Sequence, residues 1–269
     1  QYRLFPFGKP GGIQQDRGPV LQSTESKNGR LHNREIWLMR NYLDEQLEVL
    51  NKEMIGMNGL CKQALEMAAR ALFPEISGSF PFTGDTTLAK EVKPISIGMD
   101  AKEKDIENLC LKLLLRQQPV ARDLRQISAA LKMITDIERI GDQAEDIADI
   151  ILQMKGFTPD SSFPLKEMAD AVIKMVKEGI EAYVHGNTEL AQRVIDEDDI
   201  VDQYFYDIKQ ILINKIVEKH GEIEDTPDSH FILDLLMISK YFERIGDHAT
   251  NIAEWVIFSV TGMHKESES

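Results

Sequence analysis

The stretch ITDIERIGDQAEDIADI, residues 134–150, carries an acidic stripe and an apolar stripe with the same spacing. In each stripe the side chains recur at positions i, i+4, i+7 and i+11, which lie on one face of an α-helix. The acids are Glu138, Asp142, Glu145 and Asp149, and the apolar residues are Ile140, Ala144, Ile147 and, directly after the quoted stretch, Ile151. Because a shift of two residues corresponds to about 160° around the helix axis, the pattern predicts an amphipathic helix whose acids point away from the core.

The central part of this stretch occurs twice in the chain. ERIGDQAEDIA at residues 138–148 corresponds to ERIGDHATNIA at residues 243–253. In the second copy the polar stripe consists of Glu243, Asp247, Thr250 and Glu254. Like charges at i and i+4 destabilise a helix by about 0.2–0.5 kcal/mol per pair. Two copies of the same costly arrangement indicate that the acids serve a purpose beyond helix formation.

The repeat extends well beyond this motif. GDTTLAKEV at residues 84–92 matches GNTELAQRV at residues 186–194, and apolar residues spaced by three and four predict six long helices. The predicted helices cover residues 34–72, 85–116, 120–154, 165–185, 188–219 and 227–261, the second of them interrupted at Pro94 and Gly98. No segment shows the alternation typical of a strand. The predicted fold class is all-α: two tandem three-helix bundles, residues 34–157 and 158–262, related by an internal repeat.

Residues 1–33 differ from everything that follows. They are rich in glycine and proline and show no sustained apolar periodicity. The segment is therefore predicted to be a flexible tail or a cloning remnant that takes no part in the fold.

Composition excludes several classes of function. The net charge of −14 disfavours a nucleic-acid partner, because phosphate binding depends on clusters of lysine and arginine. No apolar run approaches the roughly 18–20 residues that span a bilayer, so membrane contact is expected only through partners. Cys61 and Cys110 fit no metal-ligand or redox spacing and are expected in the core. This cysteine usage suits a reducing cytosol.

The second helix of each unit offers acids that could complement the motif helix. Glu103 and Glu107 form one i, i+4 pair, and Asp198 and Asp202 form the other, if about seven residues around PISIG are an insertion in the first unit. Consecutive helices of a bundle are antiparallel neighbours, so each unit could gather four carboxylates, which suit hard cations and bridged iron, manganese or zinc. The predicted metal ligands are Glu103, Glu107, Glu138, Asp142, Asp198, Asp202, Glu243 and Asp247.

A solvated acidic face is the alternative explanation, with Arg139 and Arg244 pairing with their acidic neighbours. The recurrence of the whole motif is what favours metal binding over that alternative. Gly141 and Gly246 lie inside both motif helices, where glycine costs about 1 kcal/mol relative to alanine. They predict the close approach of another helix or of a ligand, with helix packing the favoured explanation.

These residues resemble the PhoU family of phosphate-uptake regulators. The resemblance rests on the tandem ERIGD motifs, on QQPVARDLR at residues 117–125 and on the opening segment at residues 40–72, and it covers roughly residues 34–258. It implies a pair of three-helix bundles whose acidic motifs bind multinuclear iron or zinc clusters in some members. The supposed insertion KPISIG and the glycine-rich start depart from the family pattern.

The resemblance implies a regulatory role and not an enzymatic one. It predicts a cytoplasmic negative regulator of phosphate uptake and phosphate-starvation signalling. The implied partners are a phosphate ABC transporter and a phosphate sensor histidine kinase, and a homodimer or higher oligomer is expected. Two alternatives stay open: a PhoU-like domain of a sodium–phosphate cotransporter or potassium channel, and a metal-free helical scaffold. A carboxylate di-metal enzyme is disfavoured, because none of the six histidines follows a glutamate by three residues.

Overall fold

The structure, a computed structural model, describes residues 27–73, 84–116, 119–154, 163–218 and 227–263. Within these ranges the chain forms six α-helices and no strand, which confirms the all-α prediction. The helices are α1 (Lys27–Leu72), α2 (Thr86–Arg116), α3 (Ala121–Gln153), α4 (Leu165–His185), α5 (Thr188–Glu218) and α6 (Pro227–Thr261). In this described part of the chain, no helix is both long enough and apolar enough to cross a membrane.

The helices pack as two three-helix bundles. Helices α1, α2 and α3 contact one another, as do α4, α5 and α6, while α3 packs along α6 and α1 touches α4. The two tandem bundles predicted from the repeat are thereby confirmed. The apolar stripe Ile140, Ala144, Ile147 and Ile151 lies in the core, as do the free thiols of Cys61 and Cys110.

Helix α1 begins at Lys27, earlier than the predicted start near residue 34. Residues 27–33 are therefore helical and do not belong to a tail. Residues 1–26 lie outside the described part of the chain, so the prediction of a flexible tail stays a prediction for them.

The predicted interruption of α2 is wrong, because the helix is continuous through Pro94 and Gly98. Proline in a helix removes one hydrogen bond and crowds the preceding turn, but Pro94 is exposed while Val92, Ser96 and Met99 around it are buried. Packing on both sides of the proline therefore outweighs its local cost.

A continuous α2 also removes the supposed insertion. Helices α2 and α5 each contain 31 residues, and their buried positions coincide when the two helices are aligned from their first residues. The matched buried pairs are Ala89 and Ala191, Val92 and Val194, Met99 and Val201, Ile106 and Ile208, and Cys110 and Leu212. In this register Asp100 corresponds to Asp202, and the buried Ser96 corresponds to Asp198.

Both second helices begin with the same capping device. The Asp85 carboxylate accepts hydrogen bonds from the backbone N–H groups of Thr87 (2.9 Å) and Leu88 (3.1 Å). The side-chain oxygen of Asn187 accepts from the N–H of Leu190 at 3.0 Å. These side chains satisfy backbone donors that have no partner within the helix, so the matching GD and GN sequences mark equivalent helix starts.

Polar side chains connect α3 with α6 across the contact between the bundles. The Asp136 carboxylate lies 2.9 Å from Nδ1 of His248 and accepts a hydrogen bond from Asn251 at 3.1 Å. The Tyr241 hydroxyl interacts with the Asp146 carboxylate. His248 is therefore a residue of the contact between the bundles, with Asp136 as its partner.

Candidate metal centres on the two bundles

A glycine in each motif helix sets how closely the second helix approaches. A Cβ atom at Gly141 would lie 2.7 Å from Cε of Met99, and one at Gly246 would lie 3.3 Å from both Val201 Cγ1 and Asp198 Oδ1. Helix packing therefore explains both glycines, as favoured from the sequence. The close approach also brings the acids of α2 towards those of α3, and the acids of α5 towards those of α6.

The first candidate centre, composed of Asp100, Glu138 and Asp142, lies between α2 and α3. These three residues offer one carboxylate oxygen each, and the three oxygens all lie within 4.8 Å of one another. All three side chains are half-buried, so the acids flank the helix contact and do not project freely into solvent. Glu138 and Asp142 are predicted ligands that the structure brings together.

Asp100 was missed by sequence reasoning. The supposed insertion aligned Glu103 and Glu107 with the acids of α5 and left Asp100 without a role. The usable signal was the unbroken periodicity of Val92, Met99 and Ile106 through the proline, which fixes the register without any insertion.

The predicted ligands Glu103 and Glu107 lie farther along α2. Glu103 accepts a hydrogen bond from the Thr135 hydroxyl at 3.3 Å, and its charge contributes to the raised pKa of Glu138. Glu103 therefore borders the first centre. Glu107 is exposed and is not part of the three-carboxylate group.

The charges of the first centre are poorly compensated. Burial, followed by the nearby Asp142 carboxylate, raises the pKa of Glu138 to about 7. Burial is also the main cause of the raised pKa of Asp142. Arg139 opposes both effects from the edge, with nitrogens 3.5 Å from Glu138 Oε2 and 3.3 Å from Asp142 Oδ2. Because the acids lose water and repel one another, a cation would be favoured there.

The second candidate centre, composed of Asp198, Asp202, Glu243 and Asp247, lies between α5 and α6. Burial, together with Asp247 and Asp202, raises the pKa of Asp198 to about 6. Burial and Glu243 raise the pKa of Asp247, while Lys240 acts in the opposite direction. The Lys240 ammonium group forms an ion pair with Glu243. Among the described residues, a mutually close group of three carboxylates occurs only in the first centre.

The donor chemistry of both centres fits metal ions. Carboxylates are the preferred ligands of hard cations, and they also bridge iron or zinc ions. Asp100, Glu138 and Asp142 could hold a cation directly, since their oxygens already converge. In the second centre the ammonium group of Lys240 is ion-paired with Glu243, so a bound cation would share this carboxylate with the lysine or displace it. A bound cation would link the second helix of each bundle to the motif helix.

Comparison with known proteins places the repeated unit in a family. The family profile described as the PhoU domain matches residues 54–151 and again residues 165–256, one match for each bundle. The chain belongs to the PhoU family. The resemblance inferred from the paired ERIGD motifs is thereby confirmed. Both matched ranges include the ERIGD motif, so the duplicated acids lie inside the PhoU domain itself.

Full-length relatives and a solved structure agree with this assignment. The phosphate-specific transport system accessory protein PhoU homolog of Clostridium acetobutylicum is 31% identical over 227 residues, covering 84% of this chain and 97% of the relative. The corresponding PhoU homolog of Pseudomonas aeruginosa is 32% identical over 219 residues, covering 81% and 84%. The crystal structure of PhoU from Pseudomonas aeruginosa superposes with a TM-score of 0.72 at 31% identity, covering 82% of this chain and 99% of that one.

Proposed function

We propose that this PhoU-family chain is a metal-dependent negative regulator of phosphate uptake. Two relatives are named accessory proteins of a phosphate-specific transport system, and each aligns along more than four-fifths of this chain. In this role the protein restrains a phosphate ABC transporter and keeps a phosphate sensor histidine kinase in its repressing state. It acts in the cytoplasm through these partners, as a homodimer or larger assembly.

The convergence of Asp100, Glu138 and Asp142 is the observation that supports the metal requirement. Their three carboxylate oxygens lie within 4.8 Å of one another. When ionised, acids this close together destabilise the fold by charge repulsion unless a cation lies between them. Carboxylate repulsion at this distance is substantial in a half-buried site. Iron or zinc would supply the neutralising charge, while the protein's side chains hold α2 against α3 in a defined register.

The second centre contributes Asp198, Asp202, Glu243 and Asp247 to the same function. The first centre lies against α3 and the second lies against α6, and these two helices pack against each other. Metal occupancy therefore affects the surface and stiffness of the whole molecule, and this provides a physical route from metal binding to partner binding. A metal-free scaffold is the competing function, favoured by the ion pairs that Arg139 and Lys240 make with the acids.

Elemental analysis of protein purified without chelator tests the metal requirement. We expect bound iron or zinc in the wild type, a partial loss in Asp142→Asn or Asp247→Asn, and a near-complete loss in the double variant. Glu107→Gln is the matched control, because this exposed acid lies outside the three-carboxylate group. Full metal content in the double variant would rule out these residues as principal ligands and would favour the scaffold.

A reporter of phosphate-starvation signalling tests the regulatory role. In cells that lack their own copy of the protein, the wild-type chain should repress the reporter when phosphate is plentiful. The double variant should repress less, while Glu107→Gln should match the wild type. A reporter that does not respond to removal of the protein contradicts the role in phosphate signalling, whatever the metal content.

A further inference from the structure

Besides the exchange of Ser96 for Asp198, the two centres differ at two contacting positions, one on the second helix and one on the motif helix. In the first bundle Thr135 on α3 donates a hydrogen bond to Glu103 on α2 at 3.3 Å. In the second bundle the same positions hold Lys240 on α6 and Phe205 on α5, with the Lys240 ammonium group 5.3 Å from the ring centroid. The first pair carries one negative charge and the second carries one positive charge.

Lys240 is positioned to compete with a bound cation. Its ammonium group is ion-paired with Glu243, which is the equivalent of Glu138, and its charge also counteracts the raised pKa of Asp247. The face of Phe205 supports the ammonium group through a cation–π contact. The lysine therefore adds a positive charge to the second centre at a position where the first centre has the uncharged Thr135, in addition to the arginine that each motif contains.

Lys240 can also leave this position. Its side chain is 42% exposed, whereas that of Glu243 is 14% exposed, so the ammonium group lies on the solvent side of the acid. A lysine side chain is long and flexible, and it can swing into solvent without disturbing the core. Displacement would free Glu243 to join Asp198, Asp202 and Asp247.

We propose that Lys240 acts as a built-in competitor that makes the second centre a weaker divalent-cation site than the first. The inference rests on the proposed metal function and extends it, because the two centres then fill at different cation concentrations. Thr135 leaves the first centre open to a cation at low concentration. The second centre fills only when the cation displaces the lysine.

Calorimetric titration of chelator-stripped protein with Mn²⁺ tests this assignment. The wild type should show a tight and a weak class of sites. Lys240→Thr should strengthen the weak class at least about tenfold, because one competing charge is removed. Lys240→Met, which keeps the length of the side chain, should do the same, while the reciprocal Thr135→Lys should weaken the tight class.

The outcomes separate the two proposals. If Glu138→Gln removes the tight class but neither Lys240 variant strengthens the weak one, competition by Lys240 is wrong and the metal function stands. If the folded wild type binds no Mn²⁺, both proposals fail. Circular dichroism of each variant verifies that its helices are intact.

Discussion

The first and second carboxylate centres are built on equivalent pairs of helices but differ in charge. Each uses a motif helix with a glycine at the contact, a second helix of 31 residues and a half-buried glutamate in the ERIGD sequence. The first centre brings three carboxylates together with Arg139 at its edge, whereas the second pairs its glutamate with Lys240. The duplication thus preserves the packing, while the exchanges of Thr135 for Lys240 and of Ser96 for Asp198 change the electrostatics.

The largest difference in stability is expected from the core beneath the centres. Phe242 and Ile137 occupy equivalent, fully buried positions. Phe242→Ala should lower the free energy of unfolding by about 3–5 kcal/mol, because a large side chain is lost and a cavity remains. Ile137→Val, which removes one methyl group, should cost about 0.5–1.5 kcal/mol. Urea denaturation measures both values, and equal losses would show that the two cores are not packed as described.

The contact between the bundles should be weakened by removal of the Asp136 carboxylate. Asp136→Ala removes the partner of both His248 and Asn251. We expect a loss of about 1–3 kcal/mol, since the half-buried His248 ring is left without its hydrogen-bond partner. Tyr241→Phe removes only a hydroxyl group from the equivalent position and should cost less. Hydrogen exchange should rise along both α3 and α6 in the Asp136 variant; a rise limited to α3 would contradict the shared contact.

The first centre should make the metal-free protein less stable at higher pH. Burial and Asp142 raise the pKa of Glu138 to about 7, so the folded state holds a proton more tightly than the unfolded state. This stabilising contribution is complete below the unfolded-state pKa near 4.5 and disappears as pH rises through about 7.

Glu138→Gln should abolish that pH dependence. In the presence of chelator the variant should exceed the wild type by about 1–2 kcal/mol at pH 8, after allowance for solvent screening, and the gain should vanish near pH 4. Melting curves across this range measure the effect. A wild type that becomes more stable between pH 5 and pH 7 relative to the variant would reverse the predicted sign.

Removal of the helix cap should cause the smallest loss of stability, and the loss should be the same in both bundles. Asp85→Ala and Asn187→Ala each remove a side-chain oxygen that accepts from the first turn of a second helix. Each should therefore cost about 1 kcal/mol in free energy of unfolding. Thr87→Ala, which leaves the cap oxygen in place, serves as a control. Strongly unequal costs would mean that the two helix starts are not equivalent.

Much of this architecture could be predicted from the sequence, because the apolar residues of a long amphipathic helix recur every three or four positions. The core stripe Ile140–Ile151 follows from apolar spacing, and the bounds of α4 and α6 follow from that spacing together with the glycines and prolines between the helices. Two of the three carboxylates of the first centre could also be predicted, since Glu138 and Asp142 belong to the repeated motif.

The remainder depended on tertiary packing. Pro94 predicts a break on local grounds. The apolar spacing continues through the proline, but only the folded chain shows that Val92 and Met99 on either side of it are buried. This wrong prediction shifted the alignment of α2 with α5, and Asp100 was therefore not predicted as a ligand. In the same way His248 follows a predicted ligand in sequence, but its role is set by Asp136, which lies on another bundle.

The pairing of α3 with α6 has a consequence for the origin of the molecule. Asp136 corresponds to Tyr241 and Asp146 corresponds to Asn251, so the contacts from Asp136 to Asn251 and from Tyr241 to Asp146 join the same two positions in both directions. A face that meets its own copy in this reciprocal way is isologous. An ancestral protein of half this length, with one three-helix bundle, would have been complementary to a second copy of itself across a two-fold axis. Fusion of two copies of its gene would then have joined the two bundles in one chain.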